Sequence, residues 1–401
     1  MDIVVSHDFF PKIGGAHLWL YETYRRWPTP VTVVTEEFGC AAPDRAAVEA
    51  FDRLDHGAVS ILRTKMELSD IDLTSSRSRR AFGAVSQVLR KLAVGGEARF
   101  HCLRSFPEGF CGLLAKVRRP RARRLIVYAH GEEILVARRS RQLSLMAKAV
   151  YRFADLVIAN SRSTEELVRS FAPAANIVRI HPGVDAQAYV RSPAELAAFR
   201  ERWGWPREMT VLSTVARMEP RKNQATVIRA VQALRQAGHQ LAYVCCGDGP
   251  ERASLMQLAR DLGVEEWMRF PGAVSDAEKI MTYGACDFHV MPSVRHGEMI
   301  EGFGIVFLEA AAAGVPSICG NVGGQAEAVL HEKTGLVVDG SDPELVRGAI
   351  ERMTTDVGLR KRLGQEAVSW AREHDWSRVS ARTLAALQER IPGSALALRG
   401  A

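Results

Sequence analysis

The sequence predicts an α/β protein made of two doubly wound domains, each a parallel sheet with crossover helices on both faces. Two observations carry this. Short apolar runs rich in Val and Ile alternate with longer segments of helical period, several times in each half. A polar stretch in the middle of the chain then interrupts the series before apolar strands resume.

In the first half the strands fall near Ile3 to Ser6, Val31 to Thr35, Phe100 to Leu103, Leu125 to Ala129, Leu156 to Asn160 and Ile177 to Ile180. In the second they fall near Val211 to Val215, Leu241 to Cys245, Met268 to Phe270, Phe288 to Met291, Ser317 to Cys319 and Leu336 to Val338. Helix starts have their own marks. Ser163-x-x-Glu166 and Ser275-x-x-Glu278 fit capping boxes, and Pro250 and Pro343 suit first helical turns, where no amide proton is needed. His181-Pro182-Gly183-Val184-Asp185 ends a strand, and the polar stretch after it carries Pro193, Gly204 and Pro206. The expected organisation is a first domain over 1–185, a linker over 186–207, a second domain over 208–375 and a terminal helix over 376–401. No short-period repeat or low-complexity tract is present.

At 401 residues, 47% hydrophobic and 25% charged, the chain is long enough for two domains of ordinary size, and disordered and coiled-coil classes are excluded. Its 7 cysteines are odd in number, scattered and never spaced Cys-x-x-Cys, which signals neither a disulfide framework nor a zinc site. The expectation is a cytoplasmic protein: Met1-Asp2-Ile3-Val4-Val5 has no signal-peptide pattern and no apolar run is long enough to span a bilayer. Net charge is +7, but it is concentrated. Arg77 to Arg152 holds 18 Lys or Arg against 4 Asp or Glu. That basic surface suits peripheral contact with an anionic membrane, on the inner face of the plasma membrane, or a phosphorylated acceptor. It lacks the interleaved aromatics of a nucleic-acid platform, so no nucleic-acid partner is expected.

Three places carry chemistry. The first strand leads through His7 to Gly14-Gly15 and a helix from about Ala16, and free amides at a helix N-terminus favour an oxyanion. After the strand Val211 to Val215, the loop Ala216 to Asn223 holds Arg217 and Lys222 at the carboxyl end of a parallel sheet, where ligands bind. Two cations there can neutralise a diphosphate leaving group without a metal. Glu301-Gly302-Phe303-Gly304-Ile305 then starts a helix that carries Glu309, about two turns beyond Glu301. Asp70-Ile71-Asp72 matches a metal-holding pattern but lies in a polar segment away from any expected strand end, so no metal is expected. Gly247-Asp248-Gly249 lacks the third glycine of a dinucleotide fingerprint, and no nicotinamide cofactor is expected.

At these residues the sequence resembles the retaining glycosyltransferases of the GT-B fold, which include bacterial mannosyltransferases and sucrose and glycogen synthases. The resemblance covers nearly the whole chain. It is carried by Gly14-Gly15, Tyr128-Ala129-His130-Gly131, Ala159-Asn160-Ser161, His181 to Asp185, Arg217 with Lys222, Gly247 to Pro250, and Glu301 to Glu309. Met291-Pro292-Ser293, Gly314-Val315-Pro316 and Gly323-Gly324 look most like phosphatidylinositol mannosyltransferases and related GDP-mannose users. His17 and Asn223 depart from the family pattern, the latter standing where glycine is common.

The resemblance implies two facing Rossmann-like domains with a cleft between them, and a terminal helix that returns to the first domain. Arg217 and Lys222 would grip the donor diphosphate, helped by the Gly15 amide, and Glu309 would bind the ribose. Glu301, with amides of Gly302, Phe303, Gly304 and Ile305, would hold the sugar; His130 would touch it near the reacting centre; Val274 would lie by the base. The implied activity is metal-independent transfer of a hexose, mannose from GDP-mannose, to a lipid-linked or polysaccharide acceptor, with no cofactor beyond the nucleotide-sugar donor. Competing readings are a UDP-sugar donor, an epimerase or hydrolase drawing on His7, Asp8 or Glu132, and a non-catalytic sugar- or lipid-binding module.

Overall fold

The computed structural model describes residues 1–11, 14–37, 45–68 and 75–391. Two compact units divide the chain: Met1–Pro182 with the segment from Trp376 onward, and Gly183–Asp375.

The first unit holds β1 (Asp2–Val5), β2 (Val31–Glu36), β3 (Val59–Thr64), β4 (Ala98–Cys102), β5 (Arg123–Ala129), β6 (Leu156–Ala159) and β7 (Ile177–Arg179). They form one sheet in the order β3-β2-β1-β4-β5-β6-β7, parallel throughout. β1, β4 and β6 are buried along their whole length, as strands covered on both faces must be. Their side chains, with Phe82, Val85 and Leu89 of the helix Ser76–Leu92 and Val150 and Tyr151 of the helix Arg141–Phe153, form one apolar core.

The second unit holds β8 (Thr210–Val215), β9 (Leu241–Cys246), β10 (Met268–Gly272), β11 (Phe288–Met291), β12 (Ser317–Gly320) and β13 (Gly335–Val338), in the order β10-β9-β8-β11-β12-β13. It too is parallel throughout. Strand order reverses between β1 and β4 in one sheet and between β8 and β11 in the other. At such a point the loops leaving the carboxyl ends diverge and open a crevice for a ligand.

Several expectations need correction. β3 was absent from the expected strands; it is the edge strand of its sheet and only Val59 in it is buried. The stretch 186–207, expected as a linker, is folded into the second unit: Ala186–Tyr189 forms a helical turn and Pro193–Glu201 a helix. Its polar residues hold that helix in place. Ser192 and Glu195 make a capping box, and Arg200 donates to the Ala285 carbonyl and the Asp287 carboxylate. The cap expected at Ser163 is made by Ser161, which accepts from the Thr164 amide, while the box at Ser275 forms as read. Pro250 precedes its helix, which begins at Arg252, whereas Pro343 does open one. The helix Trp376–Arg390 packs in the first unit on the helix Gly15–Tyr24, and the Ser380 hydroxyl donates to the Thr23 carbonyl. Among the described residues no helix is long and apolar enough to cross a membrane.

Candidate active site

In the second unit, the loops leaving β8 and β11 supply the residues expected to meet a donor. The β8 loop turns through Pro220–Lys222 into the helix Gln224–Gln236, with Asn223 left-handed at φ 63°. That conformation explains why glycine suits this position, and asparagine adopts it at low cost because its short amide bonds locally. Here the amide donates to the carbonyls of Pro292 and Gly340. The loop is therefore tied to the β11 loop, which the bond from the Val294 amide to the Arg221 carbonyl reinforces.

These ties bring an alternating chain of charges together. Lys222 Nζ donates to Glu301 Oε2, and Arg221 Nη1 donates to the same oxygen at 3.0 Å. Arg221 Nε reaches Glu219 at 3.0 Å, and Glu219 in turn pairs with Arg217 Nε at 3.0 Å. Lys222 is buried, whereas the Arg217 side chain is 69% exposed and leaves most of its donors to solvent. Burial would raise the Glu301 pKa, but the charges of Lys222 and then Arg221 outweigh it and hold the carboxyl below the ordinary glutamate value. The site thus stores a desolvated ammonium and a guanidinium already charged, where an anionic leaving group can use them.

Backbone geometry fixes Glu301 itself. Gly323, at φ 75°, lets its chain pass so close that a Cβ would stand 2.1 Å from the Glu301 carbonyl oxygen, which accepts from the Gly324 amide. Just beyond Glu301, the helix Ile305–Ala312 is capped at Gly304, whose carbonyl accepts from the Phe307 amide, and Gly302 to Ile305 lead into its N-terminus, the end that favours an anion or hydroxyl acceptor. Gln325, which the sequence reading passed over, joins the ends of β11 and β12: its side chain accepts from the Ser293 and Gly320 amides and donates to the Ser293 and Val322 carbonyls.

Glu309 lies four residues into the same helix, in a second cluster. It accepts from Lys279 Nζ at 2.8 Å and the Tyr283 hydroxyl at 3.1 Å. Burial lowers the Lys279 pKa, but Glu309 more than reverses this. Val274 precedes the cap Ser275 and packs on the core that includes Phe303 and Phe307.

In the first unit, Gly15 opens the helix Gly15–Tyr24, and the next residue, Ala16, lines a cavity of about 270 Å³ with Arg104, His130, Glu132 and Glu133. His130 follows β5. Its Nε2 lies 2.9 Å from the Leu103 carbonyl, which can only accept, so the neutral ring carries its proton on Nε2. Its backbone amide donates to Glu133 Oε1 at 2.9 Å, and its ring meets Trp19 edge-on. Burial and the charge of Arg104 push the imidazole down to about 3, so it is neutral at ordinary pH. His17 is buried against Gly14.

His7 is engaged elsewhere: Nδ1 lies 2.7 Å from the fully buried Glu108, and Asp8 stands 3.4 Å from Nε2. Burial would raise Glu108, but His7 and Arg104 hold it at about 2. Two of the three groups open to an epimerase or hydrolase are therefore paired with one another or with Glu108. Asp70-Ile71-Asp72 lies outside the described residues. Among those described, no three His, Cys, Asp or Glu side chains are grouped to hold a metal ion.

Family models match both units: "Glycosyltransferase Family 4" over 13–188 and "Glycosyl transferases group 1" over 197–370. A GDP-mannose-dependent α-(1-6)-phosphatidylinositol monomannoside mannosyltransferase from Mycolicibacterium smegmatis is 31% identical over 97% of this chain and 98% of its own length. The chain belongs to this glycosyltransferase family. The counterpart from Mycobacterium tuberculosis is 32% identical over 92% of each chain. D-inositol 3-phosphate glycosyltransferase from Salinispora arenicola matches at 33% over 62% of this chain and 56% of its own.

The fold agrees. HepE of Anabaena, solved with UDP and glucose, superposes with a TM-score of 0.78 at 21% identity, covering 96% of this chain and 98% of that one. WaaG, a glycosyltransferase of lipopolysaccharide biosynthesis, gives 0.68 at 16% identity over 96% and 98%. The architecture of this glycosyltransferase is thus GT-B, two Rossmann-like parallel-sheet domains.

Proposed function

We propose that this glycosyltransferase moves mannose from GDP-mannose to a lipid-linked or saccharide acceptor, retains the anomeric configuration and needs no metal ion. The observation that carries the reading is likeness over nearly the full length to a mannosyltransferase with that donor. The buried Lys222–Glu301 pair supports it chemically.

Before the donor arrives, Glu301 neutralises Lys222 and Arg221. The diphosphate takes over that role and is met by the exposed Arg217 as well, and Glu301 is freed to accept from sugar hydroxyls, with the amides from Gly302 to Ile305 beside it. Glu309 keeps the ribose role, for which it exchanges a hydrogen bond with Lys279 or Tyr283. Val274 lies by the base, and in the first unit the Gly15 amide and neutral His130 are the groups offered to the substrate. In the transfer step the bond from C1 to the phosphate oxygen breaks, and a bond from C1 to the acceptor oxygen forms on the same face. The departing phosphate oxygen takes the acceptor proton. No strong enzymic base is required, and the work lies in stabilising charge on the leaving diphosphate and aligning the acceptor. The basic stretch Arg77 to Arg152 fits peripheral work at an anionic membrane of the cytoplasmic face.

The test is transfer from radiolabelled GDP-mannose, with EDTA present, to vesicles containing phosphatidylinositol or its mannosides, followed by assignment of the product's anomeric configuration. An α-mannolipid supports the reading. Use of UDP-glucose but not GDP-mannose would discard mannose and keep the transferase; dependence on added Mg²⁺ or Mn²⁺ would reject metal independence.

A further inference from the structure

Four arginines of the first unit converge on a cavity of about 300 Å³: Arg90, Arg118, Arg119 and Arg123, with Val94 at its edge. Arg90 lies in the last turn of the helix Ser76–Leu92, Arg118 closes the helix Phe110–Val117, and Arg123 opens β5. His130 follows the other end of that strand. Seven strand residues at about 3.3 Å each separate the two by roughly 20 Å. The cavity therefore sits at the amino edge of the sheet, apart from the one beside His130.

Arg118 and Arg119 are exposed and Arg90 is half-buried, but the base of the cavity is built differently. Arg123 is 4% exposed. Nη1 donates to the Ala115 carbonyl at 2.6 Å, which fixes the guanidinium plane, while the buried Nε has no partner. Among the described residues none of the four arginines takes part in an ion pair. Several guanidiniums facing one cavity without a counter-charge repel one another, and a tetrahedral oxyanion answers that. Burial, with the charges of Arg119 and Arg90, also lowers the Arg123 pKa.

We propose that this cavity binds a phosphate group, brought either by a free phosphate or by a phospholipid headgroup. Arg123 supplies the fixed donor at its base, and Arg90, Arg118 and Arg119 close over the remaining oxygens. The planar fork of arginine matches phosphate oxygens in pairs, which is why arginine rather than lysine suits such a site. The assignment does not depend on what the other unit binds or on which sugar is transferred.

Because removing buried Arg123 risks the fold, the test uses the double variant Arg90→Gln/Arg119→Gln, with its folding checked by circular dichroism. The whole protein and the variant are titrated with inorganic phosphate at constant ionic strength, following melting temperature. In a parallel arm they are floated with phosphatidylcholine vesicles with and without phosphatidic acid. Phosphate bound elsewhere in the protein responds equally in both proteins, so the difference reports on this cavity. At least tenfold weaker phosphate binding by the variant is expected. If the variant also loses phosphatidic-acid vesicles that free phosphate displaces from the wild type, a lipid headgroup is the source; if vesicle binding is unchanged, free phosphate is. Wild-type affinity of the variant in both arms would overturn the proposal.

Discussion

Lys222 and Arg217 were both legible in the sequence, yet the structure gives them different work. Lys222 is buried on Glu301, while Arg217 stands in solvent and touches only Glu219 among the charges described above. Arg221, to which the sequence reading gave no role, lies between them and donates to the same Glu301 oxygen as Lys222. Three basic residues within six positions do not reveal from spacing which side chain turns inward; the tie from Val294 to the Arg221 carbonyl decides it. Glu301→Gln keeps the shape of the pair but removes the charge that organises both cations. Its kcat/KM for transfer is expected to fall by about 100-fold or more, the scale of losing one preorganised charge contact. Wild-type rates in the variant would remove Glu301 from the mechanism. A second residue sets a pH dependence. His289 on β11 is fully buried, and burial together with the Lys222 charge pushes it down to about 3. Between about pH 6.5 and 3 the unfolded chain binds a proton there that the folded chain does not, so stability falls as pH falls, by at most about 1.4 kcal/mol per pH unit. Above 6.5 this contribution is constant. Urea unfolding at pH 5 and pH 7 is expected to show a smaller difference for His289→Leu than for the wild type; an unchanged difference would assign the acid sensitivity to other groups.

Elements were easier to read where burial was complete on both faces. β1, β4, β6, β8, β9 and β11 are wholly buried, and all but β4, which carries Arg99 and His101, read as short, mostly apolar runs. β3 escaped because Val59-Ser60-Ile61-Leu62-Arg63-Thr64 mixes polar and apolar residues, as an edge strand with only Val59 buried can. The supposed linker was misread for a related reason: Pro193 and the polar residues near it suggest a loop, but Ser192-Pro193-x-Glu195 is a helix start. The glycine pattern Gly247-Asp248-Gly249 also has a structural meaning that spacing could not disclose. Gly247 has φ 127°, and a Cβ there would stand 2.0 Å from the Ala216 carbonyl oxygen. The Met218 amide donates to Asp248, so this loop props the one that presents Arg217. Gly247→Ala is expected to cost about 3 kcal/mol from strain and overpacking, and to weaken donor binding with it. Gly348 provides the contrast. It sits exposed in the helix Pro343–Thr355 with nothing near its missing Cβ, and Gly348→Ala is expected to stabilise by up to about 1 kcal/mol through helix propensity. Urea midpoints of the two variants should move in opposite directions; a shift of the same sign would refute the steric account of Gly247.

At the scale of the whole molecule, the chain passes between units twice, near Pro182–Gly183 and Asp375–Trp376, and inside the second unit these crossing points lie side by side. The Val184 amide donates to the His374 carbonyl, and Val184 bridges Asp375. The first unit is therefore discontinuous in sequence and depends on a helix made last. A terminal helix was legible in the sequence, but periodicity alone does not say which core it joins. The structure answers with Trp376, Val379, Leu387 and Ile391, all at most 2% exposed, and with Ser380 on the Thr23 carbonyl. Burying each such side chain is worth about 1.5–3 kcal/mol, so the helix supplies about 6–12 kcal/mol, as much as the net stability of an ordinary domain. It also covers the helix Gly15–Tyr24, whose first turn borders the cavity beside His130. A chain ending at Asp375 is thus expected to lose the fold of its first unit and, with it, transfer activity. The second unit has its own sheet and cores and should persist. Limited proteolysis distinguishes the outcomes: a protected fragment close to Gly183–Asp375, with digestion of Met1–Pro182, is expected. Equal protection of both units would mean that the first core stands without its terminal helix, and the stabilisation assigned to those four side chains would have to be withdrawn.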